Sequence, residues 1–245
     1  MRHVVVTMGT VLSLASDADP ATIARLDAVF AEFDELFSLY RAESELSRVR
    51  DGRLSLMDAS TTVRDTYARA LAWRDSTAGA FTPHRPDGAV DLDGIVKAEA
   101  MARAGEILGD GDWCLNVGGD VLVAGQADTG PWSVGIVDPA DRDRLLTAVP
   151  LVGSRRAAAT SGSAERGDHI WTRGRVPSVF AQVTVLADEI VAADVLATAI
   201  VSGGPETLDL VAERFDVDVL TVAHDGSLTA TPGMAIQVRG DRRHP

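Results

Sequence analysis

Trp113-Cys114-Leu115-Asn116-Val117-Gly118-Gly119-Asp120-Val121-Leu122-Val123-Ala124 is the stretch on which the fold turns. It holds two strand-like apolar runs, 113–117 and 121–124, separated only by a turn that centres on paired glycines. Strand therefore follows strand with no helix between. Further strand-like segments come after it, at 132–137, 145–152 and 180–186. Helical periodicity is gathered elsewhere, upstream at 20–37, 60–77 and 94–108, and downstream at 189–201 and 205–215. Clustered helices and strands, instead of strict alternation, give an α+β fold and not a doubly wound sheet.

Outward from that stretch the local signals agree. Residues 3–16 are rich in valine and leucine and read as extended. Asp19-Pro20 is a helix cap followed by proline at the first helical position. Ile23, Leu26, Val29, Phe30, Phe33 and Phe37 then recur at helical spacing, so this helix buries one face. Ser44-Glu45-Leu46-Ser47 marks a short capped turn after Tyr40. The helix at 60–77 turns Val63, Tyr67, Ala70 and Leu71 inward and is stopped by Gly79. A loop with Pro83 and Pro86 leads to the helix that starts near Gly94. A terminal hairpin, 217–231, turns at Asp225-Gly226. With no repeat and no linker, residues 1–245 read as a single domain.

Composition excludes several functions. A net charge of −13 argues against nucleic acid, which needs a basic surface. It also means that an anionic ligand requires a metal or a placed cation. The one cysteine, Cys114, rules out an internal disulfide and a cysteine-cluster metal site; its apolar neighbours mark it as core. Apolar runs are broken by charge short of the roughly 18 residues that a membrane span needs. The N-terminus enters strand-like sequence without a signal-peptide core, so no export signal is read and the expected location is cytoplasmic.

Of 23 cationic side chains only one is lysine, Lys97, in Asp91-Leu92-Asp93-Gly94-Ile95-Val96-Lys97. A compact ammonium suits a point charge against phosphate, which a planar guanidinium does not reproduce. Neither a Rossmann glycine pattern nor a P-loop is present. Asp194 and Thr198 lie four apart, so a helix stacks a carboxylate and a hydroxyl on one face. A threonine bonded to its own helix backbone accounts for that pattern, and so does a hard-cation site. The Gly118-Gly119 pair suits a plain hairpin turn or a close backbone approach to a ligand. Residues 159–170 are denser in polar groups than a connector needs, with a lone histidine, His169.

In order, Met8-Gly9-Thr10, Ser38-Leu39-Tyr40-Arg41, Gly79-Ala80-Phe81, Asp91 to Lys97, Asn116 to Asp120, Trp132 to Ile136 with Asp138-Pro139, Ala159 to Ile170 and Ala193 to Thr198 form eight blocks. The array resembles the ApbE family, the FAD:protein FMN transferases. The resemblance implies a two-lobed, T-fold-like α+β domain with a flavin site between the lobes and magnesium at the FAD pyrophosphate. It implies FAD contacts at Met8, Tyr40, Asp91, Lys97 and His169. The implied magnesium ligands are Asp194, Thr198 and the Gly94 carbonyl. Lys97 and His169 are the implied catalytic groups, Lys97 as a second positive charge and His169 as general base or flavin anchor. The implied reaction moves FMN from FAD to a threonine or serine hydroxyl of an acceptor protein, releasing AMP. Hydrolysis of FAD to FMN and AMP, and FAD binding without cleavage, are the alternatives. The chain differs from many members at Ala98, at 168–174 and in a short segment after Phe81.

Overall fold

Every strand ladder among the described residues, 2–162 and 178–235 of a computed structural model, is antiparallel. The strands are β1 (Arg2–Thr7), β2 (Thr10–Ala15), β3 (Trp113–Val117), β4 (Asp120–Ala124), β5 (Ser133–Asp138), β6 (Asp141–Pro150), β7 (Ala157–Gly162), β8 (Phe180–Ala187), β9 (Asp218–Ala223) and β10 (Leu228–Ala230). Eight of them form one sheet in the order β1-β2-β3-β4-β7-β8-β9-β10, and β5-β6 is a separate hairpin. The helices are α1 (Pro20–Phe37), α2 (Glu45–Arg50), α3 (Thr61–Ser76), α4 (Asp93–Leu108) and α5 (Ile190–Arg214). The first four are inserted between the neighbouring strands β2 and β3, and α5 between the neighbours β8 and β9. The α+β expectation holds.

Residues paired across a ladder share a face of the sheet. Leu12 opposite Val117, and Leu115 opposite Leu122, belong to the face that meets the helices. They are buried in one core with Phe30, Ile95, Met101, Leu196 and Ile200. The other face carries Val121, Val123, Ala158, Leu186 and Leu220, covered by Val134, Ile136 and Val149 of the β5-β6 hairpin and by Met234. Gln182 ties the hairpin down, its side-chain amide donating to the Val137 carbonyl at 2.9 Å. On this face the outermost strands remain bare, with Val4, Val6 and Val11 exposed.

Two elements depart from the sequence reading. The polar stretch that begins at Ala159 is in part strand: Ala157–Gly162 is β7, paired on both sides. Its small side chains carry little β-propensity, but they let α5 approach closely, and that packing overrides propensity. The two C-terminal helices run as one element, α5, broken at Gly204 (φ 70, ψ −155) just before Pro205. Among the described residues α5 alone is long and apolar enough to cross a membrane by length and composition. Here it is the core helix of the sheet.

Candidate active site

The β1-β2 and β3-β4 turns lie side by side at one end of the sheet. Met8 and Gly9 both have positive φ (47 and 70), the backbone of a tight hairpin turn. The Gly118 amide donates to the Val11 carbonyl at 3.0 Å. A Cβ on Gly118, whose φ is +61, would stand 2.7 Å from Thr10 Oγ1. Glycine is thus required both by the turn and by the close approach. Of the two uses the sequence left open, the hairpin turn is the one seen, and the close approach is to Thr10 of the neighbouring turn.

Asp120 follows that turn on the helix-facing side of the sheet and is 1% exposed. Its carboxylate forms an ion pair with Lys97 Nζ. The other oxygen, Oδ1, accepts the Thr160 amide N–H of β7 at 3.1 Å. A buried carboxylate needs a counter-charge, and Lys97 supplies it. The ammonium expected as a second positive charge therefore has a matching negative charge beside it in Asp120.

On α5, Asp194 is fully buried. Thr198, one turn on, bonds through Oγ1 to Ser161 Oγ of β7 at 3.1 Å. Ser161 is itself buried and is the next residue after Thr160. Two chains of contacts, Lys97–Asp120–Thr160 and Ser161–Thr198, therefore meet at adjacent residues of one strand. On the opposite face Thr160 Oγ1 and Thr184 Oγ1 bond at 2.9 Å. Asp120, Thr160 and Ser161 fall inside blocks that the sequence marks out, but nothing in the sequence assigns them roles. The signal was there for Asp120, which directly follows the glycine pair, but its partner Lys97 lies on another element.

The start of α4 is built by packing. Asp91 Oδ1 accepts the Asp93 amide at 3.0 Å, and the Asp91 amide donates to the Pro83 carbonyl at 2.9 Å. A Cβ at Gly94 would be 3.0 Å from Phe81 Cε2, so only glycine lets that buried ring sit unshifted against the first turn. The short segment after Phe81 is pinned by Tyr67 Oη and His84 Nε2, 2.9 Å apart.

Met8 packs partly buried against the main core. Tyr40 differs: the residue is 85% exposed. Its loop is nonetheless fixed, since Ser44 Oγ and Ser47 Oγ both donate to the Ser38 carbonyl, at 2.7 and 3.1 Å. Tyr40 is thus held out from the buried cluster and not brought into it. His169 lies outside the described residues.

The groups that the resemblance implies as ligands, Asp194, Thr198 and the Gly94 carbonyl, are all oxygen, the donor type that magnesium takes, and the helices that carry them, α4 and α5, pack together. Among the described residues no three His, Cys, Asp or Glu side chains converge as a metal cluster. A site with one carboxylate and few protein ligands suits a cation that keeps waters and shares phosphate oxygens. A groove of about 510 Å³ at the other end of β4, lined by Gln126, Arg155 and Arg156, is a separate feature. Its arginines are engaged by Asp216, Asp218 and Asp188.

Comparison with known proteins bears on this geometry. A family model described as the ApbE family matches residues 82–221. An FAD:protein FMN transferase of Rhodobacter capsulatus is 33% identical over 191 residues, 70% of this chain and 36% of the relative. The chain thus spans about a third of the length of the curated relative that it matches. Among solved structures, the flavin transferase ApbE of Vibrio cholerae superposes with a TM-score of 0.79 at 22% identity, covering 97% of this chain and 98% of that one. The ApbE protein of Thermotoga maritima gives 0.79 at 20% identity, covering 98% and 99%. At such identities the structural likeness speaks for the fold.

Proposed function

Because the chain belongs to the ApbE family, we propose that it transfers FMN from FAD to a threonine or serine hydroxyl of an acceptor protein and releases AMP. The observation that carries this reading is the meeting of the Lys97–Asp120 pair and the Ser161–Thr198 pair at neighbouring positions of β7. The chain's one lysine, paired with Asp120, and a part-buried pair of hydroxyls then meet on one strand, a setting that suits a diphosphate substrate accompanied by a metal.

In the proposed reaction the acceptor hydroxyl oxygen bonds to the FMN phosphorus of FAD. The bond from that phosphorus to the bridging oxygen breaks, and AMP departs with the bridging oxygen. The hydroxyl proton passes to a base, for which His169 is the proposed group. Such a displacement needs positioning and charge neutralisation more than covalent help. Asp194, Thr198 and the Gly94 carbonyl would hold magnesium, which when bound supplies Lewis-acid neutralisation of the diphosphate. Lys97 places its ammonium at the same diphosphate. Met8, Tyr40 and Asp91 are the proposed further contacts to FAD, with Tyr40 offering its exposed ring.

The test is incubation with FAD and magnesium, with and without candidate acceptor proteins, following AMP, free FMN and protein-bound flavin fluorescence. Acceptor-dependent AMP release matched by labelled acceptor is the expected result. Equal AMP and free FMN in both arms would make the protein a hydrolase. Bound FAD without AMP in every arm would make it a flavin-binding protein.

A further inference from the structure

We infer that Asp120 is a positioning residue for the proposed reaction: it aims the Lys97 ammonium and, by matching its charge, makes flavin-nucleotide binding depend on the metal. The inference rests on the proposed function. Asp120 is held from two sides, by Lys97 of α4 and by the Thr160 amide of β7. A carboxylate 1% exposed and anchored to a strand has little freedom, so the lysine bonded to it is confined in turn. Lys97 is 17% exposed at its side chain, on a stem that would otherwise sample many rotamers. Holding it in one place supplies the alignment that phosphoryl transfer uses. The same pair sets the local charge. With Lys97 and Asp120 cancelling, this pair offers a diphosphate no net charge of its own.

Substitution tests this directly. Asp120→Asn keeps an oxygen for the Thr160 amide, removes the charge, and puts an amide nitrogen in place of the oxygen that pairs with Lys97. Lys97 is the chain's sole lysine, so its reaction with an amine-selective reagent can be followed by peptide mapping apart from the N-terminus. In the FAD-free protein, Asp120→Asn should speed that reaction several-fold, because the nitrogen no longer has to leave an ion pair. FAD affinity measured with a chelator should rise several-fold. Turnover with magnesium should fall at least about tenfold through kcat, as a misaimed group near the reacting phosphorus does. Lys97→Met and the double variant Lys97→Met/Asp120→Asn should turn over equally, since Asp120 acts only through Lys97. The double variant removes both charges together, so it also reports whether the fold persists without the pair.

Unchanged lysine reactivity, weaker metal-free FAD binding, or an equal loss of turnover from Asp120→Asn in the Lys97→Met background would each overturn the inference. A wild-type protein that binds FAD but releases no AMP would instead sink the proposed transfer. The reactivity and binding arms would still decide the role of Asp120.

Discussion

Thr198 Oγ1 and Ser161 Oγ share a hydrogen bond at 3.1 Å, and that bond fixes the direction of the oxygen that would face a metal. Partners behind a metal ligand typically change metal affinity by about 10–100-fold when removed. Ser161→Ala should therefore weaken magnesium by that range in a titration of FAD binding, while melting barely shifts. Asp194→Ala removes the only carboxylate of the donor set, and FAD affinity should then be the same with magnesium as with chelator. Retained magnesium dependence would leave Asp194 a core residue of α5. Cys114 makes a contrasting prediction. Burial pushes its thiol up to about 11, so at pH 8 iodoacetamide should label native protein slowly and unfolded protein fast. At this scale the sequence disclosed what one element holds and concealed what joins two. Four-residue spacing exposed Asp194 with Thr198, but nothing local links Lys97 to Asp120 or Thr198 to Ser161. Those pairs come into being when α4, α5 and β7 dock.

Helix ends show the opposite case, because their signals are local. Asp19 accepts the Ala21 and Thr22 amides at 2.8 and 3.0 Å, with Pro20 opening α1 as the sequence indicates. Ser60 caps α3 in the same way, through the Val63 amide. Strand β7 escaped notice since alanine, serine and glycine say little about pairing until neighbours exist. Gly204 lies in a backbone region essentially reserved for glycine, and it sits in the gap between the helices read at 189–201 and 205–215. Gly204→Ala should cost about 1–3 kcal/mol, visible as a melting point lower by about 2–12 °C. The β5-β6 hairpin supplies a pH prediction. The Ala140 amide and then Arg144 hold the Asp138 carboxyl below its ordinary 3.8. A depressed folded-state value adds stability that is complete above the unfolded value and is lost as pH falls through the folded one. Below about pH 4 the wild type should lose melting temperature faster than Asp138→Asn, which has no such proton to take up.

Across the whole molecule, the placing of α1 to α4 between two adjacent strands has a kinetic meaning. Strand β2 pairs with β3 across residues 16–112, as Leu12 with Val117 and Ser13 with Asn116. The β1-β2 and β3-β4 hairpins can each zip from a tight turn within microseconds, whereas joining them must wait for the intervening chain to condense. Pulse-labelled hydrogen exchange during refolding should find amides inside each hairpin protected early. The Gly118 amide, bonded to Val11 across that seam, should be protected late. The transition state for folding would then lie before closure of the seam, and Thr10 would meet Gly118 only in its final downhill step. Newly made chains would accordingly carry most of their helices and both hairpins before they can hold a nucleotide. Addition of FAD and magnesium would slow unfolding without hastening folding.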